Sequence, residues 1–493
     1  GDSGGIRYYS NEWTYVVGQG LRPWYGVQPR LMNAPLPLDT LSGGIGSVSY
    51  NYSDNGSFMF QQPHNNTGMQ NMQRFVEGRR LVHTNFTTGK HNEPGNDPHP
   101  NVVGLQGQRF SQSACIACHT NNGRSPAPEV DRRLDTMSVR VATTAADGAQ
   151  LPHPTYGTTV QMNASTAAGT PQNWGGVRVK EFETRTVKLA DGTDVQLRKP
   201  VLVFDGPTPD TVSLRAAQPM IGTGLLEAVP EADILARVRS TPDQDGVKGV
   251  ANFVFDPETG AVHLGRFGWK ASKATLRHQA ASALLQDMSV TSPVYPNRSC
   301  DSNPAGCATA PKQRGISEAD LKQISNYLAL LAVPAQRSLP SGFPKGVSPI
   351  EELDVDTRQV SAGAKLFEAM RCVACHTASM KTGSNHLFAE LRDQTIRPYT
   401  DLLLHDMGAG LADDYKEGQA SGRMWRTPAL WGLGYTEKVM DREGAVGYLH
   451  DGRARNLTEA IMWHDGEAAA ARNRFAKLSK AQRDELMAFL RSL

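Results

Sequence analysis

No run of roughly 18 or more apolar residues occurs in the chain, so the sequence offers no transmembrane helix. It also lacks a charge excess of either sign. The 51 basic and 49 acidic residues leave a net charge of +2, with no basic stripe that would serve a nucleic acid or another polyanion. The opening residues, Gly1–Gly5, are polar and show neither the basic segment nor the apolar stretch of a signal peptide. The expectation is a mature chain whose pliant start frays or serves as a tether. Cysteine is scarce, with six residues in all. What remains is ordinary globular material: 493 residues, 39% hydrophobic and 20% charged, enough for two or three domains with real cores.

The few cysteines are not scattered. Four of them form two Cys-x-x-Cys-His motifs, Cys115, Cys118, His119 and Cys372, Cys375, His376. From this composition, chance supplies only about 0.002 such matches. In covalent haem attachment the two thiols add to the haem vinyl groups and the adjacent histidine becomes the proximal iron ligand. The spacing puts both sulfurs and the imidazole on one helical turn. A zinc site would need a second ligand pair to close a tetrahedron, and a thioredoxin-like redox pair needs no histidine. The motifs therefore predict two covalently bound haem c groups. The remaining Cys300 and Cys307 flank a short polar loop, DSNPAG, where a disulfide closes easily; two unpaired buried thiols are the other reading. Haem attachment and a disulfide both belong outside a reducing cytoplasm, which predicts the bacterial periplasm or cell surface.

The surroundings of the motifs also match. Phe110 stands five residues before Cys115, as Phe367 does before Cys372. Far downstream of each lies an amphipathic pattern with a serine cap: Ser317 leads into Leu321, Ile324, Tyr327, Leu328 and Leu331, and Ser479 into Leu486, Phe489, Leu490 and Leu493. Between motif and helix each half carries Gly-x-Gly-x-x-Glu, at Gly222–Glu227 and at Gly432–Glu437; a tight turn before a helix is the plainer reading. Trp269, seven residues before Leu276, aligns with His450, seven before Leu457. These matches predict a mainly α fold of two cytochrome c-type helical domains from an internal duplication, at 68–340 and 345–493. Strand-like inserts (Thr155–Val203 and Thr241–Leu264) swell the first, and an irregular extension over 1–67 precedes both.

Three further stretches carry a family resemblance: Tyr448–Leu457 (YLHDGRARNL), Asp401–Gly408 (DLLLHDMG) and Arg426–Leu430 (RTPAL). They resemble the bacterial di-haem cytochrome c peroxidase superfamily. Gly224–Glu231 (GLLEAVPE) and Gly265–Ala271 (GRFGWKA) are similar to its di-haem oxidoreductases, described as peroxidases or "thiol oxidoreductases". The resemblance spans roughly Gln73 to Leu493 and is more specific in the second half. It implies a reactive first haem and a second haem that passes electrons. Fourteen residues after His450, where the peroxidases usually carry the methionine that completes the second iron, stands His464. This departure implies a His376/His464 iron of lower potential than a His/Met pair, because thioether ligation favours the ferrous state. His405 is the rival ligand, or a hydrogen-bond donor to a propionate or the backbone.

Sixteen residues after His119, where peroxidases with a blocked first iron carry a switchable histidine, stands Asp135. The resemblance therefore implies an open first iron, with His83, His153 and His278 as distant rivals for its free face. By the same resemblance Asp287 or Glu227 is the acid that moves the proton in peroxide cleavage, and Trp269 is the residue between the haems. A cap or salt bridge is the bland role for either carboxylate, and interface packing for the tryptophan. The relatives hold calcium between their domains, but Ala445 and Gly447 depart from their pattern. Asp243 and Asp245, in Asp-x-Asp-Gly, are a separate calcium candidate with a solvated turn as the alternative.

The leading expectation is a periplasmic peroxide-reducing enzyme supplied by a small donor protein such as a cytochrome c or cupredoxin, and dimeric as its relatives often are. The competing expectations are a di-haem oxygenase or oxidase using dioxygen on an organic substrate, and a non-enzymatic electron-transfer protein.

Overall fold

The computed structural model describes residues 14–16, 20–22, 36–48, 56–107, 109–164, 176–297, 314–337, 355–440 and 445–493. Cys300 and Cys307, with their expected disulfide, lie outside the described residues. In chain order the principal elements are α1 (Met69–Val82), α2 (Cys115–Cys118), β1 (Ser138–Thr144), β2 (Val177–Lys188), β3 (Asp194–Phe204), β4 (Thr211–Arg215), β5 (Phe253–Asp256), β6 (Ala261–Leu264), α3 (Leu276–Met288), α4 (Glu318–Leu330), α5 (Thr357–Ala369), β7 (Leu404–Asp406), β8 (Met424–Arg426), α6 (Leu457–Trp463) and α7 (Lys480–Ser492). None of the described helices is long and apolar enough to cross a membrane.

Helices form where the apolar spacing is helical and a cap is available. Ser317 Oγ accepts the Asp320 amide at the start of α4. Ser479 and Gln482 close a reciprocal capping box at the start of α7. The stripes expected from the sequence are buried: Leu321, Ile324 and Tyr327 on α4, Leu486, Phe489 and Leu490 on α7. α1 packs on α4, and α5 on α7. Each pair crosses at a glycine that lets backbone approach backbone. A Cβ on Gly78 would fall 2.0 Å from the Gln323 carbonyl oxygen, and one on Gly363 2.0 Å from that of Glu485. The two Gly-x-Gly stretches are tight turns, with Gly222 and Gly432 left-handed at φ 65° and 72°.

The mainly α expectation is nonetheless wrong. The structure is 33% helix and 20% strand, spread over several small sheets, and the described residues show no pair of duplicated helical cytochrome domains. The haem motifs sit on single turns, α2 and a 3-10 turn at Cys372–Ala374, rather than on long helices. Short antiparallel pairs occur on both sides of the expected boundary: β1 with β4, β2 with β3 and β5 with β6 before it, β7 with β8 after it. Forty-seven glycines and 30 prolines break helical runs throughout. Segments that wrap a central cavity need only reach it, and strands and turns do so in few residues. Of the described N-terminal residues, Leu36, Leu41, Val48, Met59 and Phe60 belong to the largest core.

The β2–β3 hairpin ties the structure together. It comes from the first half of the chain, yet Leu189, Val195 and Leu197 enter the core built around α5 and α7. At its tip the Ala190 amide donates to the Ala476 carbonyl at 2.9 Å, and Asp191 pairs with Arg483 at 2.7 Å. Along its arms Arg198 donates to the Arg453 carbonyl, and the Gln196 carbonyl accepts from Arg455.

The helix crossing yields a prediction whose sign opposes propensity. Gly to Ala inside an exposed helix gains about 1 kcal/mol. Gly363→Ala should instead destabilise by roughly 1–3 kcal/mol, because the methyl group must push α5 away from α7. A lower melting temperature of the haem-loaded protein is the expected reading.

Candidate functional site

One cavity of about 510 Å³ is lined by both Cys-x-x-Cys-His motifs, by Trp269 and by His464. All four motif cysteines border this cavity, and burial pushes the Cys115 and Cys372 thiols up to about 12. Among the described residues no group of three His, Cys, Asp or Glu side chains could hold a metal ion by itself.

The three imidazoles share one arrangement. His119 Nδ1 lies 2.7 Å from the Gln218 carbonyl, His376 Nδ1 2.9 Å from that of Tyr399, and His464 Nδ1 2.8 Å from that of Ala460. A carbonyl can only accept, so each Nδ1 carries the proton and each Nε2 keeps its lone pair. Burial lowers the pKa of all three. For His376 it does so to about 4, helped by the neighbouring His464 and opposed by the Tyr399 bond. Neutral, tautomerically fixed and half-exposed to the cavity, these are donors suited to a metal. His464 caps the end of α6, where it takes up a carbonyl that has no partner within the helix.

Trp269 Nε1 donates to the Ala216 carbonyl at 2.7 Å, and the Ala216 amide donates to His450 O at 2.7 Å. Trp269 meets His450 edge-on at 6.5 Å, and His450 stacks on Trp425 at 3.8 Å. Lys270 lies 4.0 Å above the other ring of that stack, Trp425. Arg426 links this group to the first motif: its amide donates to Trp269 O, its Nε to Gly268 O, and its Nη2 to Gln218 Oε1. The cavity wall carries seven Lys or Arg side chains against three Asp or Glu. Such a basic surplus suits the propionates of two haems, and the residues present fit the group.

The family described as "Di-haem oxidoreductase, putative peroxidase" matches residues 39–493. The chain belongs to this family. No curated protein matches it. Among solved structures, hydrazine synthase from Kuenenia stuttgartiensis is 17% identical over 41% of this chain, with a TM-score of 0.23. The match spans 65% of the hydrazine synthase chain, a little under two thirds of its length.

Of the two carboxylates expected to handle protons in this di-haem oxidoreductase, only Asp287 lines the cavity. Burial raises its pKa, with Arg140 and a Ser138 bond acting the other way. Glu227 is not among the lining residues: it accepts from the Leu276 amide at 2.7 Å, capping α3, and pairs with His386 at 3.2 Å. Its bland role as cap and salt bridge is the one the geometry gives. Asp243 and Asp245 are engaged by guanidinium groups. Asp243 pairs with Arg371, while Asp245 meets Arg371 at 2.6 Å and Arg474 at 2.7 Å, which leaves these carboxylates already neutralised where calcium was expected.

His405 lines the cavity with both nitrogens taken, Nε2 by Asp401 at 2.8 Å and Nδ1 by Glu467 at 2.6 Å. Nδ1 also lies 3.5 Å from Cys375 Sγ, and with these contacts no nitrogen remains for iron. His83, His153 and His278 do not line the cavity; His278 Nε2 instead meets the Tyr295 hydroxyl at 2.8 Å. The sequence reading missed Glu467, Arg426 and the Gln218 carbonyl. Glu467 follows His464 by three residues and could have been suspected, whereas a backbone acceptor leaves no trace in sequence.

His405 gives a test with a defined sign. Burial opposes its charge, but Asp401 and its other neighbours hold the pKa well above the ordinary value. The cation's contribution is therefore complete below the unfolded pKa of about 6.5 and is lost as pH rises through the folded one. His405→Asn should be less stable than wild type by roughly 3 kcal/mol at neutral pH, since it strands two buried carboxylates. The gap should narrow toward alkaline pH in melting curves, and a gap independent of pH would show a neutral His405.

Proposed function

We propose that this chain is an exported di-haem c-type enzyme that reduces peroxide, with each motif binding its haem through two thioethers. His119 and His376 are the proximal ligands, and His464 is the second ligand of the second iron. The observation that carries this reading is the common tethering of the three imidazoles, each with Nδ1 on a carbonyl and Nε2 left for a metal in one shared cavity. Bound haem iron supplies the electron-transfer and peroxide-cleaving chemistry. The protein's own residues orient the ligands, exclude water and move the proton.

Asp287 is the proton-handling group. Of the three lining carboxylates, Asp245 is paired with arginines and Glu467 is held at about 2: burial opposes that shift, and His405 and backbone donors overcome it. Asp287 alone among them has its pKa raised, by burial, the direction a proton-handling carboxyl needs. Trp269, bonded to Ala216 and placed on the wall that both motifs share, is the electron path between the halves. The first iron keeps an open face, a reading supported by the engagement of His83, His278 and His405 elsewhere. Haem attachment through two thioethers favours the periplasm, where a small redox protein would deliver electrons to the second haem.

Two measurements test this. The ferric wild-type protein should show one low-spin and one high-spin haem, and His464→Ala should make the second high-spin. A wholly low-spin wild type would sink the open-iron reading and favour electron transfer alone. Asp287→Asn should lower kcat/KM for hydrogen peroxide by about 100-fold or more. Oxygen uptake without peroxide turnover would instead identify an oxygenase.

A further inference from the structure

The cavity wall next to Trp269 holds a buried charge cluster that does not balance. Four cations, Arg140, Arg215, Lys270 and Lys273, meet three carboxylates: Asp413 and Glu417, each already with its cation, and Asp287, on which Arg140 acts. Glu417 takes Arg215 Nη1 at 2.6 Å, and Asp413 takes Lys270 at 3.2 Å. Arg140 bonds only neutral groups, Thr159 and Gln286. Lys273 Nζ reaches only the hydroxyl and carbonyl of the adjacent Ser272, at 3.2 and 3.1 Å. Arg215, 8% exposed, has Nε on Ser213 and Nη1 on Glu417, while its Nη2 is buried with no partner. Arg140, Arg215 and Lys273 all line the cavity.

We propose that Lys273 and Arg215 form an anion site in the cavity wall that receives a carboxylate group. A guanidinium with an unused N–H beside a free ammonium presents donors and no acceptors, the pattern that carboxylates match. Burial pulls the Lys273 ammonium down to about 8, with Arg140 and Arg215 adding to the effect against Glu417; a bound anion would reverse that pull. The carboxylate has two possible sources, a haem propionate or a small organic acid entering the cavity. Only the first rests on the two-haem reading.

The test uses the haem-loaded protein with Lys273→Met, Lys273→Gln and the charge-keeping Lys273→Arg, two neutral variants being made so that a folding defect in one does not end the experiment. If the site holds a propionate, the propionate bending band in the resonance Raman spectrum shifts in the neutral variants and returns in Lys273→Arg. If it holds a free acid, wild type binds acetate saturably by calorimetry, and affinity falls tenfold or more in the neutral variants and recovers in Lys273→Arg. No change in either reading overturns the proposal. A pyridine haemochrome assay on wild type separately tests the two-haem reading, and acetate calorimetry does not depend on its outcome.

Discussion

Three hydrogen bonds from imidazole Nδ1 to backbone carbonyls organise the rest of this structure. Each fixes a tautomer, an orientation and a free nitrogen at once, which a side-chain partner that can itself rotate or titrate would do less firmly. The carbonyls come from three different local settings: the stretch after β4, the loop before β7 and the last turn of α6. Holding those settings in register is the work of longer-range contacts. Arg426, on β8, grips Gln218 and Gly268 together, so the orientation of the first imidazole depends on a strand more than 200 residues further along the chain. Burial pulls the Arg426 guanidinium down to about 10, with Asp401 opposing; its neighbours are chiefly backbone oxygens.

The carboxylates around the cavity divide by environment. Where guanidinium groups or several amide donors surround them, as at Asp245 and Glu467, they stay ionised and hold loops in place. Glu467 alone ties Lys248, Gly249 and Asp406 by their amides and His405 by its ring. Asp287, at the far end of α3 from Lys273, has only Arg140 and a Ser138 bond to set against burial, and burial raises its pKa. The lining of one cavity thus carries carboxylates in different environments beside several cations, their ionisation set by local partners rather than by residue type.

How much of this could be read in advance depended on whether the signal was local. Ser317 and Ser479 are local caps, legible because one helical turn contains the whole determinant. Trp269 and His450, aligned as equivalent places of two repeats, instead meet each other edge to face, which the alignment did not anticipate. The same matches misled at the next level, where recurring pieces were taken as recurring helical domains. Sheet content came from β2, β3 and the short pairs at β7–β8, whose partners are fixed by tertiary packing rather than by pattern. Asp243-x-Asp245-Gly246 looked like an ion loop because sequence cannot show Arg371 and Arg474 arriving from elsewhere. His405 was legible as special but not as a buried cation, since Glu467 reaches it from 62 residues away.

The β2–β3 hairpin has a consequence for how the molecule is made. Its strands are synthesised before the second motif, yet they form part of the wall against which α5 and α7 must close. The C-terminal core is therefore not built from the later chain alone: Leu189, Val195 and Leu197 of the earlier chain complete it, and the last helix covers them as it closes.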